Sequence, residues 1–267
     1  MTKFLHITSS KDRGPQLEAF LRTFKFLKGS VTNKVLYTTS TSEHEEVYLW
    51  LQRKYPDIEF VKEYNYKVQF ESLIESSDCK YAFFTSDDDC FLRDIDLFRI
   101  GLIIGDQNLV YSLRLGTHLN CCHPAGNTPQ SLPAWQEDRE EFKIWSWKGS
   151  SLDWSYLMSY DGHVYIREGI LQMLKQLDYQ KPTSVEIGLQ RFIPNMSETL
   201  GACKRDAQLV SVPWNNVTDQ ANNLNTGISE QVFLDEWNKG KRICLDHIVG
   251  SMPVSCHYEY DLIWEGR

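Results

Sequence analysis

The feature that most limits the fold of this chain is a scheme repeated through its first third. An apolar strand runs into a hydroxyl-rich loop, and an amphipathic helix follows. Phe4-Leu-His-Ile-Thr-Ser-Ser10 is the first such strand, and Pro15 then opens a helix with Leu17, Phe20, Leu21 and Phe24 on one face. Lys34-Val-Leu-Tyr-Thr-Thr-Ser40 repeats the scheme, with a helix over 45–55 carrying Val47, Leu49, Trp50 and Leu51. A third strand over 57–61 and a third helix over 68–76 with Phe70, Leu73 and Ile74 follow, and a fourth strand covers 80–86. Strands alternating with helices predict an α/β fold, a mostly parallel sheet flanked by helices. Ligands of such sheets gather outside the carboxyl ends of the strands. Ser9, Ser40 and Asp87 belong to that edge.

The fourth strand runs out into three consecutive carboxylates, Asp87, Asp88 and Asp89. Adjacent carboxylates repel and raise one another's pKa unless water separates them or a cation sits between them. Magnesium and manganese prefer oxygen ligands and commonly bind through one or two carboxylates plus substrate phosphates. Asp87 and Asp89, two apart, suit that partial coordination of Mn2+ or Mg2+, with Asp88 turned toward a ribose or a helper group. A solvated acidic turn is the plainer alternative.

With 267 residues, 42% of them hydrophobic, the chain can bury a full core. A net charge of -8 argues against nucleic acid as a partner, because phosphate-backbone affinity rests on clustered Lys and Arg. No run approaches the roughly 20 apolar residues of a membrane span. The seven cysteines contain no Cys-x-x-Cys pair, and the N-terminus enters a strand with no signal-like apolar region, which together predict reduced thiols and a cytoplasmic location. Asn195-Met-Ser197 and Asn216-Val-Thr218 match the glycosylation sequon and read as chance matches in such a chain.

The second half loses the regular alternation. Residues 109–115 read as another strand, 116–149 as a polar stretch, 135–165 as a segment dense in Trp and Tyr, and 168–177 as a helix. The chain is expected to form a single domain, 1–267, with a soft boundary near residue 106 between a nucleotide-sized half, 1–105, and an elaborated half, 106–267. No linker separates the two.

Five stretches in order, Ile7-Thr-Ser-Ser-Lys-Asp-Arg13, Phe83-Phe-Thr-Ser-Asp-Asp-Asp-Cys-Phe91, Ser112-Leu-Arg-Leu-Gly116, Tyr160-Asp-Gly-His-Val-Tyr165 and Lys181-Pro-Thr-Ser-Val-Glu186, resemble a glycosyltransferase of the GT-A type with an Asp-x-Asp motif. The likeness is to a polysaccharide-building, rhamnosyltransferase-like group of bacteria and large algal viruses. It implies transfer of a sugar from a nucleoside diphosphate sugar, a UDP-sugar favoured, to a saccharide acceptor, with a divalent metal on the aspartates. It also implies that Thr8, Ser9 and Arg13 meet the nucleotide, where guanidinium geometry matches a diphosphate. Glu186 opens the helical run 187–192, so its carboxylate is expected in a first turn, where capping alone would explain it; by the same resemblance it is a candidate general base, and His257 a third metal ligand.

Other readings stay open on the residues. Lys67 is either a nucleobase or phosphate contact or an ordinary exposed lysine. Arg114 lies inside an apolar strand and either faces solvent or pairs with a structural carboxylate, one of the three aspartates or the diphosphate, since a buried arginine is costly unless paired. Asp161, in the hairpin-prone Asp-Gly pair, is a rival to Glu186 as base; beside Trp154 and Tyr160 its carboxylate also suits the hydroxyls of a saccharide, and Asp153 is a weaker version of that second idea. The tryptophan-rich segment is either core or the wall of an acceptor cleft. A sugar-nucleotide nucleotidyltransferase and a non-catalytic saccharide-binding module are the alternatives to a glycosyltransferase.

Overall fold

The computed structural model describes residues 2–105, 108–217 and 224–267. The expected boundary near residue 106, and Thr218 of the second sequon, lie outside the described residues. In chain order the elements that build the site are β1 (Lys3–Lys11), α1 (Gly14–Arg22), β2 (Ser30–Thr38), α2 (Ser42–Lys54), β3 (Glu59–Lys62), α3 (Tyr66–Glu75), β4 (Tyr81–Ser86), β5 (Asp89–Phe91), α4 (Leu97–Ile104) and β6 (Leu109–Ser112). After them come β7 (Trp135–Asp138), β8 (Lys143–Ser146), β9 (His163–Ile166), α5 (Arg167–Leu174), α6 (Pro182–Leu189), β10 (Leu200–Cys203) and β11 (Leu209–Ser211).

A nine-stranded sheet in the order β7-β8-β10-β6-β9-β4-β1-β2-β3 forms the centre. The pairings make β3, β2, β1 and β4 parallel, set β9 against both β4 and β6, and set β8 against β10 and β7. Strands β6 and β10 are parallel to one another. All but β8 and β9 therefore share one direction, and the sheet takes strands from both sides of residue 106.

Period-two alternation places side chains on both faces of this sheet, and both faces are buried. Leu5, Ile7, Ala82, Phe84 and Tyr165 pack on one side with Phe70 and Ile74 of α3, whereas Phe4, Tyr81, Phe83 and Val164 pack on the other with Phe20 of α1 and Ile100 of α4. The polar residues of β1 that point inward are satisfied in place. His6 Nε2 lies 2.8 Å from Thr85 Oγ1 and its Nδ1 lies 3.0 Å from Asn33 Oδ1. Burial pushes the His6 pKa down to about 3, so the ring is a neutral core group stacked on Phe83.

The helices start where cap chemistry allows. Pro15 opens α1, Thr41 Oγ1 accepts from His44 N–H at the start of α2, and Asn65 Oδ1 accepts from Val68 N–H at the start of α3. Leu113 and Leu115 are buried, yet β6 stops at Ser112, so Arg114 sits in a bend and not in the strand that its apolar neighbours suggested. Trp145, Trp147 and Trp154 are core, with Trp135 partly buried against them. Trp145 and Trp154 are fully buried and cross edge to face at 5.1 Å, and Trp147 packs against Trp145. Gly201 makes this possible, since a Cβ there would lie 2.5 Å from the Trp145 indole.

Candidate active site

A cavity of about 520 Å³ opens at the carboxyl ends of β1, β2 and β4, the edge the strand pattern singled out. Ser9, Ser10, Arg13, Thr38, Ser40, Tyr66, Ser86, Asp87, Asp88, Tyr160, Asp161, Glu186, Asn215 and His257 are among its lining residues. Register explains the first group, because Ser9 lies opposite Leu36 of β2 and Ser86 of β4.

The hydroxyls at this edge are already organised. Ser9 Oγ is 2.7 Å from Tyr160 Oη and 3.1 Å from Tyr66 Oη, and the two phenols are 3.0 Å apart. Ser10 Oγ donates to Asp87 Oδ2 at 2.7 Å, and Lys11 N–H donates to the same oxygen.

The cation among the aspartates is Arg13. Its Nη1 lies 2.9 Å from Asp87 Oδ1 and 3.2 Å from Asp88 Oδ2, and Nη2 donates to the Asn215 carbonyl. Burial pushes the Asp87 carboxyl up to about 6, with Arg13 pulling the other way and Asp88 adding to the rise. Asp87 and Asp88 form a turn, so strand alternation does not carry through the triplet. Asp89 is thereby turned inward. Its Oδ2 accepts from Ser86 N–H at 3.0 Å and its Oδ1 from Ser211 Oγ at 2.6 Å, and it does not line the cavity. Burial, then the charges of Asp161 and Asp88, hold its carboxyl well above the usual range. The sequence pattern paired Asp87 with Asp89 and set Asp88 apart; the turn instead faces Asp87 and Asp88 to the cavity.

Asp161 is not in a hairpin turn. Gly162, at φ 66°, donates its N–H to Phe84 O, and its carbonyl accepts from Leu113 N–H, which threads the chain between β4 and β6 as it enters β9. Ser86 Oγ donates to Asp161 Oδ1 at 2.8 Å. Burial raises the Asp161 carboxyl to about 7, with Glu186 and Asp88 adding to the rise and Arg114 opposing it. Glu186 lies within α6 and not in its first turn, because the helix already starts at Pro182 and Ser184 Oγ accepts from Lys181 N–H at the start. Glu186 Oε1 accepts from Ser159 Oγ at 3.1 Å and Tyr160 N–H at 3.0 Å.

Arg114 meets none of the three aspartates. It is buried behind the cavity, where Nη1 donates to Ser159 Oγ at 2.6 Å and Nη2 to His257 Nδ1 at 3.1 Å. His257 reaches the site from near the C-terminus through a backbone bridge to Ser211, which itself pairs with Asp89.

Three other sequence candidates lie elsewhere. Thr8 is fully buried with Oγ1 3.0 Å from Thr85 Oγ1, so its hydroxyl is spent inside the sheet. Lys67 donates to the Leu177 carbonyl and sits over the Tyr179 ring, away from the cavity. Asp153 accepts from Gln130 Nε2 at 3.0 Å and does not line the cavity.

Asn215 and Ser211 are the residues that sequence reasoning missed. Ser211 arrives by antiparallel pairing with a segment 122 positions away, for which no local pattern exists. Asn215 is buried with Nδ2 unpartnered, as is Arg13 Nε beside it. Two unsatisfied N–H donors are costly in a protein interior unless an acceptor arrives. Among the described residues no group of three or more His, Cys, Asp or Glu side chains is arranged to hold a metal ion.

No family model matches the chain. It is similar in sequence to the bifunctional glycosyltransferase pgtA of Dictyostelium discoideum, 25% identical over 169 residues, which is 56% of this chain and 22% of that protein. The chain thus spans about a fifth of the length of that relative. Among solved structures, S. aureus TarS residues 1–349 superpose with a TM-score of 0.47 at 12% identity, covering 77% of this chain and 58% of that one. The mannosyltransferase PcManGT from Pyrobaculum calidifontis, in complex with GDP-Man and Mn2+, gives a TM-score of 0.34 at 12% identity, covering 46% and 41%. At TM-scores below one half these two likenesses define neither a shared fold nor a shared activity. No helix among the described residues is long and apolar enough to cross a membrane.

Proposed function

We propose that the protein is a glycosyltransferase that moves a sugar from a nucleoside diphosphate sugar, a UDP-sugar first among them, to a saccharide acceptor in polysaccharide synthesis. The observation that carries this reading is the meeting of Asp88, Asp161 and Glu186 with Arg13 at one opening on the carboxyl edge of the sheet. The sequence similarity to a bifunctional glycosyltransferase points the same way. In this reading the chain is one GT-A-like domain. Its 1–105 half brings Arg13, Asp87 and Asp88 to the donor, and its 106–267 half brings Asp161 and Glu186 to the acceptor.

Arg13 and Asn215 line the cavity, and their Nε and Nδ2 atoms are buried without partners, so a shift of either side chain toward the cavity would bring an unspent N–H to diphosphate oxygens. Asp88, whose side chain is 19% exposed, is the carboxylate open to a divalent ion that arrives with those oxygens. Asp87 is a second ligand where Arg13 turns to the phosphates. One or two carboxylates plus phosphates is the ordinary mode for Mg2+, and the chemistry of the donor set fits it better than an all-protein cage. Such an ion, when bound, offsets negative charge on the departing diphosphate.

Asp161 is the better base of the two candidates. Its carboxyl, held near neutrality, matches the proton affinity that general-base work requires, whereas Glu186 Oε1 is committed to two donors. As Asp161 accepts the acceptor's hydroxyl proton, that oxygen bonds to the anomeric carbon. The bond from this carbon to the diphosphate oxygen breaks, and its electron pair leaves with the diphosphate. Glu186 then acts on Asp161 through charge. Nucleoside diphosphate released from a panel of nucleotide sugars tests the proposal.

A further inference from the structure

We propose that His257 serves the donor's diphosphate as a hydrogen-bond donor through Nε2–H, with Arg114 fixing the ring's tautomer, and that it is not a metal ligand. This rests on reading the cavity as a nucleotide-sugar site.

A guanidinium cannot accept a hydrogen bond. Arginine carries donors only, so the 3.1 Å contact between Arg114 Nη2 and His257 Nδ1 makes Nδ1 the acceptor. A neutral imidazole that accepts at Nδ1 carries its proton on Nε2. An imidazolium has no lone pair to offer, so a ring that accepts from Arg114 is the neutral form.

Arg114 cannot readily turn away to free Nδ1. Its Nη1 is tied at 2.6 Å to Ser159 Oγ, which in turn donates to Glu186 Oε1. Cys256 Sγ contacts the Arg114 carbonyl from the residue next to His257. His257 lines the cavity, and its backbone is bridged to Ser211 beside the aspartate turn. With Nδ1 directed at Arg114, the nitrogen left for a ligand bears a hydrogen. A metal needs a lone pair there. An anionic phosphate oxygen needs the hydrogen, and the bond it accepts is charge-assisted.

Two measurements on the full chain decide this. Ring-nitrogen NMR of the 15N-labelled free protein reads which nitrogen is protonated. The proposal expects Nε2, and a proton on Nδ1 at neutral pH overturns it. Calorimetry then compares UDP and GDP affinity for the wild type, His257→Phe and His257→Gln, each with Mg2+, with Mn2+ and with chelator. His257→Phe should weaken nucleotide binding about tenfold or more, by the same factor in every condition where the wild type binds. His257→Gln, whose amide keeps an N–H, should recover part of the loss. A loss confined to Mn2+ would mark an imidazole ligand and overturn the proposal. Unchanged affinity in His257→Phe overturns the phosphate role alone, whereas failure of the wild type to bind either nucleotide in any condition overturns it together with the glycosyltransferase reading.

Discussion

Arg13 Nη1 lies 2.9 Å from Asp87 Oδ1 with both side chains buried, so the positive charge that adjacent aspartates demand is supplied from within the chain. Removing it as Arg13→Met leaves a buried carboxylate without its counter-charge, which costs about 3–5 kcal/mol at neutral pH and above. The Asp87 carboxyl already sits near 6, above its unfolded value, and rises further without the guanidinium. A carboxyl raised by folding makes stability fall as pH rises through that window, so the loss should shrink in acid. Urea titrations at about pH 8 and pH 5 check this; equal losses at both would contradict it.

Asp161 as base predicts a kcat/KM that climbs with pH through a limb near 7, where its carboxyl loses the proton. Asp161→Asn should lower the rate by about 10²–10⁴. Glu186 contributes to the raised value through its negative charge, so Glu186→Gln should move the limb to lower pH. A pH–rate profile unmoved in Glu186→Gln would reject the charge coupling.

Lys67 and Thr8 make an opposite prediction. Both are spent on structural partners outside the cavity, so Lys67→Met and Thr8→Val should leave UDP and GDP affinity within about twofold of the wild type, less than the ~1.4 kcal/mol of a tenfold change. Calorimetric binding curves provide the check, and a tenfold loss in either variant would return that residue to the donor site.

Gly201→Ala tests the packing behind the site. The added methyl would lie 2.5 Å from the indole of Trp145, which is fully buried between Trp154 and Trp147, so overpacking should cost about 1–3 kcal/mol or more. A thermal melt reads the loss, and an unchanged midpoint would show that the indole has room to move.

The carboxyl edge of the sheet was legible in the sequence because it is local. Ser9 and Asp87 sit at strand ends that periodicity alone locates, and Arg13 lies one turn further on. Where a turn replaced a strand the pattern misled, as with Asp89, whose carboxylate folds back onto Ser86 N–H. Arg114 was misplaced for the same reason, since β6 ends two residues before it. Ser211, Asn215 and the Arg114–Ser159–Glu186 chain depend on pairings across the whole molecule, which no local spacing encodes. The tryptophan segment looked like a cleft wall because polar residues interrupt it. Edge-to-face packing of Trp145 on Trp154 instead buries it as core.

The most direct test of the account is release of nucleoside diphosphate when the protein and Mn2+ are incubated with a panel of nucleotide sugars and saccharide acceptors, for the wild type and Asp88→Asn. The wild type should release nucleoside diphosphate from at least one nucleotide sugar, and Asp88→Asn should lose most of that release. Release that persists undiminished in Asp88→Asn, or no release from any donor, would contradict it.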